Sequence, residues 1–393
     1  MRSSAFLYPW DVLGDPAAPA RLAALGVRGV TLASAYHSTR ALTPRHPVTR
    51  VVTAPHSAVY YPAAADRWSG QELRPQRQRW LPGEDPWGEA ARALIDAGLE
   101  VASWVVLAHN SRLGGEFPQH SVRNAYGDRY PWALCVARPE VVRYCTELAV
   151  EAGVRPGAVG TELESCGWYG MAHLHAHDKI GGVQLDAAAQ YVMSLCFCDV
   201  CSAGYAEAGV PDLDAAVRAA LTPVWRGELP PTFYASGADE WSGVERLLGA
   251  DLARLTLEYR AERARSLQQG CVRAVRAAAG PGFRIFLHAD PAPHRLGSNA
   301  GVSPAGVEAD GLVLPCTAGP SSVRDTLPAL AEAAPGVLRA ANLTVVSGMS
   351  GDPSALSSVL DADELRLYHA GLASDADLAE VGRQLAALAT AAR

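Results

Sequence analysis

Three thiols crowd into six residues in Cys196-Phe-Cys-Asp-Val-Cys201, more than packing requires and well suited to a soft metal ion. Tetrahedral Zn²⁺ takes four thiolates, and a Cys-x-x-Cys pair wraps one ion from a single turn. Cys196, Cys198 and Cys201 therefore need a fourth ligand from elsewhere. Cys135 is the first choice, with Cys145 and Cys166 as rivals, while Cys271 and Cys316 read as core thiols. The plain alternative for the whole set is unligated Cys buried in a core. A second kind of chemistry lies in Ala158-Val-Gly-Thr-Glu-Leu-Glu164, where period-two alternation puts Glu162 and Glu164 on one side of a strand. Paired carboxyls suit general acid–base chemistry, in which one protonates a leaving group and another acts as nucleophile or base. Glu164, nearer the strand end, is expected to be the acid, its pKa raised by burial, with Glu162 one layer deeper as its partner; structural carboxylates held by Arg are the alternative. The second catalytic carboxylate is expected from Asp290 or Asp11, and Asp352 has the same standing, although Asp-Pro pairs are equally at home in turns.

These residues need a scaffold that brings distant segments to one face. Apolar runs at 5–10, 30–34, 101–107, 158–164, 284–288, 311–315, 343–346 and 364–368 read as strands separated by helical or turn-rich stretches. Eight such βα units are the count of a TIM (β/α)8 barrel. An open doubly wound sheet is the competitor, but no Gly-rich dinucleotide turn follows the first strand. The reading is an α/β chain forming a single TIM-barrel domain over 1–393, with long βα loops after strands 2, 3 and 4 and a helical excursion at about 165–280. Asp310 precedes its strand and so falls on the stability face. Cys135 then lies in the loop after the third strand and the Cys cluster in the loop after the fourth, neighbours at the C-terminal face. Four thiolates leave no position for water, so the expected zinc is structural.

Trp10, Tyr36, His37, His109, Asn110, Trp168, Tyr169, His288 and His369 all fall at or just past expected strand ends. Aromatic faces accept the C–H side of a sugar ring, and His and Asn bond its hydroxyls. His173, His175 and His177 alternate and suit either a second metal or a solvated loop. No Gly-x-Ser-x-Gly elbow or phosphate-binding glycine motif occurs. With 49% hydrophobic and 19% charged residues and a formal charge of −7, the 393-residue chain fits a globular enzyme and not a broad nucleic-acid-binding surface. Eight Cys are too few for a disulfide scaffold, and neither a signal peptide nor a membrane-spanning run is visible, so a cytoplasmic protein is expected.

The combination of Trp132-Ala-Leu-Cys135-Val-Ala-Arg-Pro139, a carboxylate-bearing fourth strand and Cys196-Phe-Cys-Asp-Val-Cys201 resembles the zinc-containing β-galactosidases of glycoside hydrolase family 42, over about residues 130–205. The resemblance implies a TIM barrel, zinc held by a Cys after the third strand and a Cys-x-Cys-x-x-Cys run after the fourth, a nearby sugar site, and a homo-oligomer. The chain departs from it in two places. The family's Asn-Glu pair ending the fourth strand is replaced by Thr161-Glu-Leu-Glu164-Ser-Cys166, and Leu343-Thr-Val-Val-Ser-Gly348 lacks the nucleophilic Glu of the seventh. The expected function is therefore a glycoside hydrolase-like enzyme acting on a small glycoside or carbohydrate. The alternatives are a non-catalytic sugar-binding barrel and a metal-dependent carbohydrate lyase or isomerase.

Overall fold

Eight parallel strands close on themselves in the computed structural model, in the order β1 (Arg2–Leu7), β2 (Gly29–Tyr36), β3 (Glu100–Val106), β4 (Ala158–Glu164), β5 (Arg284–Asp290), β6 (Gly311–Pro315), β7 (Leu338–Thr344) and β8 (Glu364–Tyr368). Pairing of β1 with both β2 and β8 closes the ring, so this is a TIM barrel. The structure describes every residue except 174–176, 229–239, 317–326, 328–329, 333, 350–353, 355, 357–360 and 392–393. His175 and Asp352 lie outside the described residues.

Helices cover the barrel where the sequence has apolar periodicity. The helix α1 (Pro139–Gly153) starts with Pro at its first turn, where no N–H partner is needed, and buries Val141, Tyr144, Cys145 and Leu148 at i, i+3, i+4 and i+7. The end of the helical excursion expected at about 165–280 is two helices, Glu240–Leu248 and α2 (Ala250–Ala278), broken at Gly249, whose φ of 78° a residue with a Cβ adopts at a cost. The first strand ends at Leu7, so Trp10 sits in a 3-10 turn, Pro9–Asp11. The seventh strand is Leu338–Thr344, earlier in the chain than the branched run at 343–346 that marked it, because the Ala-rich Leu338-Arg-Ala-Ala segment carries little β propensity yet pairs on both sides.

Two register irregularities set which side chains enter the barrel. On β2, Ala33 pairs with Trp104 and Ala35 with Val105, so Ser34 is an extra residue. Its hydroxyl turns outward to the carbonyls of Trp104 (3.1 Å) and Ala152 (2.8 Å). Before this bulge the odd residue Thr31 points inward, and after it the even residue Tyr36 does. On β4 the shift opposite Val101 and Ala102 leaves Gly160, Glu162 and Glu164 as the matched set facing the barrel axis.

The loops carry further structure. After β2 come a hairpin, Thr39–Leu42 with Val51–Ala54, and a short strand, Ala58–Val59, antiparallel to the end of β2. After β3 a second hairpin, Ser121–Arg123 with Arg129–Leu134, delivers Cys135. Among the described residues no helix is long and apolar enough to cross a membrane.

Candidate active site and cysteine cluster

The barrel interior carries a chain of buried polar contacts packed around one aromatic ring. At the N-terminal end Arg284 pairs with Glu364, and Glu364 Oε2 accepts from Arg366 Nη1 at 2.9 Å. Arg366 Nε reaches Glu162 Oε1 at 2.6 Å, and the same oxygen accepts from Thr31 Oγ1 at 3.2 Å. His288 bridges the two layers, with Nε2 at 3.3 Å from Glu162 Oε2 and Nδ1 at 3.8 Å from Glu164 Oε2. Trp104 Nε1 donates to Glu164 Oε2 at 2.7 Å. Phe6 fills the centre, its ring edge-on to Trp104, His288 and Tyr368.

The two carboxylates, both buried, differ in environment. Burial alone would raise the Glu162 pKa, but the Arg366 charge and the His288 bond outweigh it and hold the group below its ordinary value. For Glu164 burial wins: its pKa is raised despite His288 and the Trp104 bond, and the Glu162 charge adds to the rise. Two carboxyls pushed in opposite directions are the usual arrangement when one must stay ionised and the other must carry a proton.

Glu164 forms part of the wall of a cavity of about 600 Å³ at the C-terminal mouth; Glu162 does not. Tyr8, Tyr36, Tyr169 and Tyr368 line this cavity with His37, His173 and His369. Tyr8 Oη donates to Tyr36 Oη at 3.0 Å and lies 3.3 Å from His369 Nδ1, while Tyr169 Oη lies 3.0 Å from Ser165 Oγ. Burial raises all four phenols above their ordinary range, so they stay protonated. It also pushes His37 and His369 down to about 4, so both imidazoles are neutral at pH 7. The cavity thus offers phenol and neutral imidazole hydrogen bonds around one carboxyl group of raised proton affinity. Ser165 and His369, just past β4 and β8, have φ of 58° and 60°, a left-handed backbone that costs about 1 kcal/mol or more for a residue with a Cβ.

Of the residues expected at the site, the structure gathers Glu164, Tyr36, His37, Tyr169 and His369 around the cavity. His288 is buried beneath it, against the carboxylates. His109 stands behind the wall, stacked on Tyr169 at 4.7 Å, and Asn110 caps a short helix by accepting from Leu113 N. Trp10 is buried and stacked on Tyr8 at 4.4 Å. Trp168 is buried too, its Nε1 donating to the Arg260 carbonyl. Neither Trp lines the cavity. Asp290 ends β5 and turns to its own loop, accepting from Ala292 N at 2.8 Å with Arg295 Nε at 3.8 Å; it is not in the cavity wall. Asp11, whose pKa burial pushes up to about 7, accepts from Tyr8 N and packs so closely on Gly371 that a Cβ there would lie 1.9 Å from its carboxylate. Asp310 sits at the start of β6, accepting from Ile285 N.

Tyr8, Tyr368 and Trp104 were missed as site residues, although the first two end apolar strand runs just as Tyr36 does. Trp104 lies inside the most apolar strand and reads as core; only its indole N–H, which needs a partner when buried, hinted at more.

The thiols of Cys135, Cys196, Cys198 and Cys201 all lie within 4.8 Å of one another and are buried. Cys135 Sγ is 3.7 Å from Cys196 Sγ, 3.7 Å from Cys198 Sγ and 3.6 Å from Cys201 Sγ. A disulfide would need about 2.05 Å. A tetrahedron with Zn–S bonds of about 2.3 Å has edges of about 3.8 Å, so the spacing fits four thiolates around one ion. Arg123 N–H points to Cys196 Sγ at 3.5 Å, the kind of outer bond that steadies a thiolate ligand. The rivals Cys145 and Cys166 are elsewhere, near Cys271. Among the described residues no other group of His, Cys, Asp or Glu is gathered for a metal, and this includes His173 and His177.

No protein-family model matches the chain, and no curated protein matches it in sequence. Solved structures do match in fold. The catalytic domain of β-amylase from Paenibacillus polymyxa is 13% identical with a TM-score of 0.57, covering 99% of this chain and 98% of that one. A family 42 β-galactosidase from G. stearothermophilus is 12% identical with a TM-score of 0.53, covering 99% and 56%. The α-L-fucosidase isoenzyme 2 from Paenibacillus thiaminolyticus is 14% identical with a TM-score of 0.51, covering 99% and 49%. The chain thus spans about half the length of the latter two. At such identities the likeness is one of fold: the chain has a TIM barrel of the kind that these glycoside hydrolases carry.

Proposed function

We propose that the chain is a glycoside hydrolase-like enzyme acting on a small neutral glycoside, with Glu164 as the proton donor to the leaving oxygen. The observation that carries this reading is the divergence of two carboxyls on one strand, Glu164 in the cavity wall with raised proton affinity and Glu162 beneath it held ionised by Arg366. Trp104 fixes one Glu164 oxygen and so orients the group. The cavity phenols and the neutral imidazoles of His37 and His369 supply uncharged hydrogen bonds suited to sugar hydroxyls. Cys135, Cys196, Cys198 and Cys201 would hold a structural zinc, whose chemistry is to tie the loop after β3 to the loop after β4 with no ligand position left for water.

A lyase or isomerase reaction is the second reading. It is favoured by Glu164 being the sole carboxylate among the described residues of the cavity wall, where hydrolysis ordinarily uses two. Glu164→Gln tests the shared core of both. Turnover on a panel of aryl glycosides and free sugars should drop about 10²-fold to 10⁴-fold, the usual contribution of a general acid, with sugar binding retained. In the wild type kcat/KM should fall as pH rises through the raised Glu164 pKa. Unchanged turnover on a verified substrate would remove Glu164 as the acid. The product, a free sugar with or without an eliminated double bond, separates the two readings.

A further inference from the structure

A second cavity, of about 560 Å³, opens in the loop after β2 and is lined by His56, Gln76, Arg77, Gln78, Arg79, Leu81, Gly83 and Arg112. Its described lining holds three guanidinium groups and no carboxylate, in a chain whose formal charge is −7. The cavity at Glu164 differs in character: its wall sets one arginine, Arg40, and one carboxyl group, Glu164, among phenols and imidazoles.

The loop that presents Arg77 and Arg79 is fixed, and Arg112 joins them from the short helix Ser111–Glu116 after β3. Val59 N donates to Gln76 O at 2.8 Å and Gln78 N to Val59 O at 3.1 Å, which fastens 76–78 to the short strand at the end of β2. The buried Gln78 side chain locks the next turn, its Oε1 accepting from Trp80 N at 2.8 Å and Leu81 N at 2.7 Å. Arg77 Nη2 donates to the Gly83 and Glu84 carbonyls, both at 3.2 Å, which orients its fork and leaves its other nitrogens open. Arg112 gives its Nε to Glu116, an exposed pair, and its terminal nitrogens are not used in that bond. Arg79 makes no ion pair or hydrogen bond among the described residues. His56 uses Nδ1 on the Ser57 carbonyl, leaving Nε2.

We propose that this cavity binds a small molecule through an oxyanion group, a phosphate, sulfate or carboxylate, with Arg77, Arg79 and Arg112 as its cationic partners. Guanidinium forks match the paired oxygens of such groups, and a pinned backbone lowers the ordering cost of binding. The cavity is separate from the one at Glu164. Ser57 Oγ donates to the His109 carbonyl at 3.4 Å, and the His109 ring meets that of His37 at 5.0 Å, so the two cavities stand on opposite sides of a shared set of contacts. The proposal holds whether or not the glycosidase reading does.

Isothermal titration of the full chain at low ionic strength with inorganic phosphate, sulfate and glucuronate in turn tests it and separates the three oxyanions. At least one should bind saturably at one site per chain, in the millimolar range or tighter, and weaken as salt is added. Arg79→Ala, an exposed change that spares the fold, should weaken that binding at least tenfold. Arg79→Lys should fall between, keeping the charge and losing the fork. Glu164→Gln should leave the binding unchanged. Absence of saturable binding for all three anions at 50 mM, or binding that Arg79→Ala does not weaken, would overturn the proposal, as would loss of binding in Glu164→Gln.

Discussion

Removing Arg366 should be among the most costly single changes to this barrel. The residue is 3% exposed, and its guanidinium serves two buried carboxylates, Glu162 Oε1 at 2.6 Å and Glu364 Oε2 at 2.9 Å. Arg366→Met keeps most of the aliphatic stem and deletes the charge. Glu364 then retains Arg284, but Glu162 is left with the Thr31 hydroxyl and His288 alone. Breaking a buried pair on one side ordinarily costs about 3–5 kcal/mol, because the stranded charge loses its compensation while keeping its desolvation. The cost should depend on pH. In the wild type Glu162 is held below its ordinary value of 4.5, so it contributes stability that is present above that pH and lost as pH falls through the depressed value. In the variant burial acts unopposed by Arg366, the Glu162 pKa rises, and the group neutralises itself by taking up a proton on mild acidification. Urea unfolding followed by tryptophan fluorescence should therefore show a deficit of about 3–5 kcal/mol at pH 7.5 that shrinks by about half or more at pH 5. Adding Glu162→Gln to Arg366→Met should restore part of the loss at pH 7.5, since a neutral pair costs less than a stranded charge. A deficit under about 1 kcal/mol, or one equal at both pH values, would refute the account of the axis as a charge-compensated network.

Two further outcomes bear on the cysteines and on the cavity histidines. Elemental analysis of the purified protein should give about one zinc per chain, and Cys198→Ser or a strong chelator should remove it with a large fall in Tm, since a metal held by four buried thiolates is bound together with the fold. A folded chain of unchanged Tm after complete metal removal would rule out a structural ion. His369, 8% exposed, has its pKa pushed from 6.5 to about 4 by burial, so the unfolded chain binds more protons between those values and stability falls as pH drops from 6.5 to 4. The shift corresponds to about 3 kcal/mol at full extent, and His369→Asn, which tolerates the left-handed backbone, should flatten the acid limb of the stability profile by a comparable amount. An acid limb identical in variant and wild type would assign the loss to other groups.

The barrel was legible because six of its eight strands are short apolar runs whose own composition marks them, and β4, β6 and β8 fall on the residues expected. The first and seventh were displaced for a physical reason. Tyr8-Pro-Trp10 continues the apolar run of β1, yet Pro9 turns the chain into a 3-10 turn, and β7 owes its pairing to neighbours on both sides and little to its own Ala-rich sequence. The inward pairing of Glu162 and Glu164 followed from alternation along β4, and the meeting of Cys135 with Cys196, Cys198 and Cys201 from the order of loops around a barrel. What stayed hidden was everything decided by distant partners. Nothing near Trp104 in sequence says that its indole finds Glu164, whereas Asp290 is drawn to Ala292 and Arg295 of its own loop, the turn that its Asp-Pro pair allowed. Nor does a run of alternating arginines at 77 and 79 reveal that its loop is folded around a cavity.

The extra residue Ser34 has a consequence for how this pocket can change. Inward and outward along a strand are a matter of odd and even, and one inserted residue exchanges the two sets for everything that follows. Tyr36 faces the cavity, and hydrogen-bonds Tyr8, only because the count from Thr31 has been shifted by one. An unbulged strand of the same sequence would turn Ala35 to this space and Tyr36 away from it, trading a phenol for a methyl group, whereas deleting Ser34 would keep the pairs Ala33–Trp104 and Ala35–Val105 and leave Tyr36 facing inward. At this edge of the pocket, the volume and polarity met by a ligand are set by the bulge at Ser34.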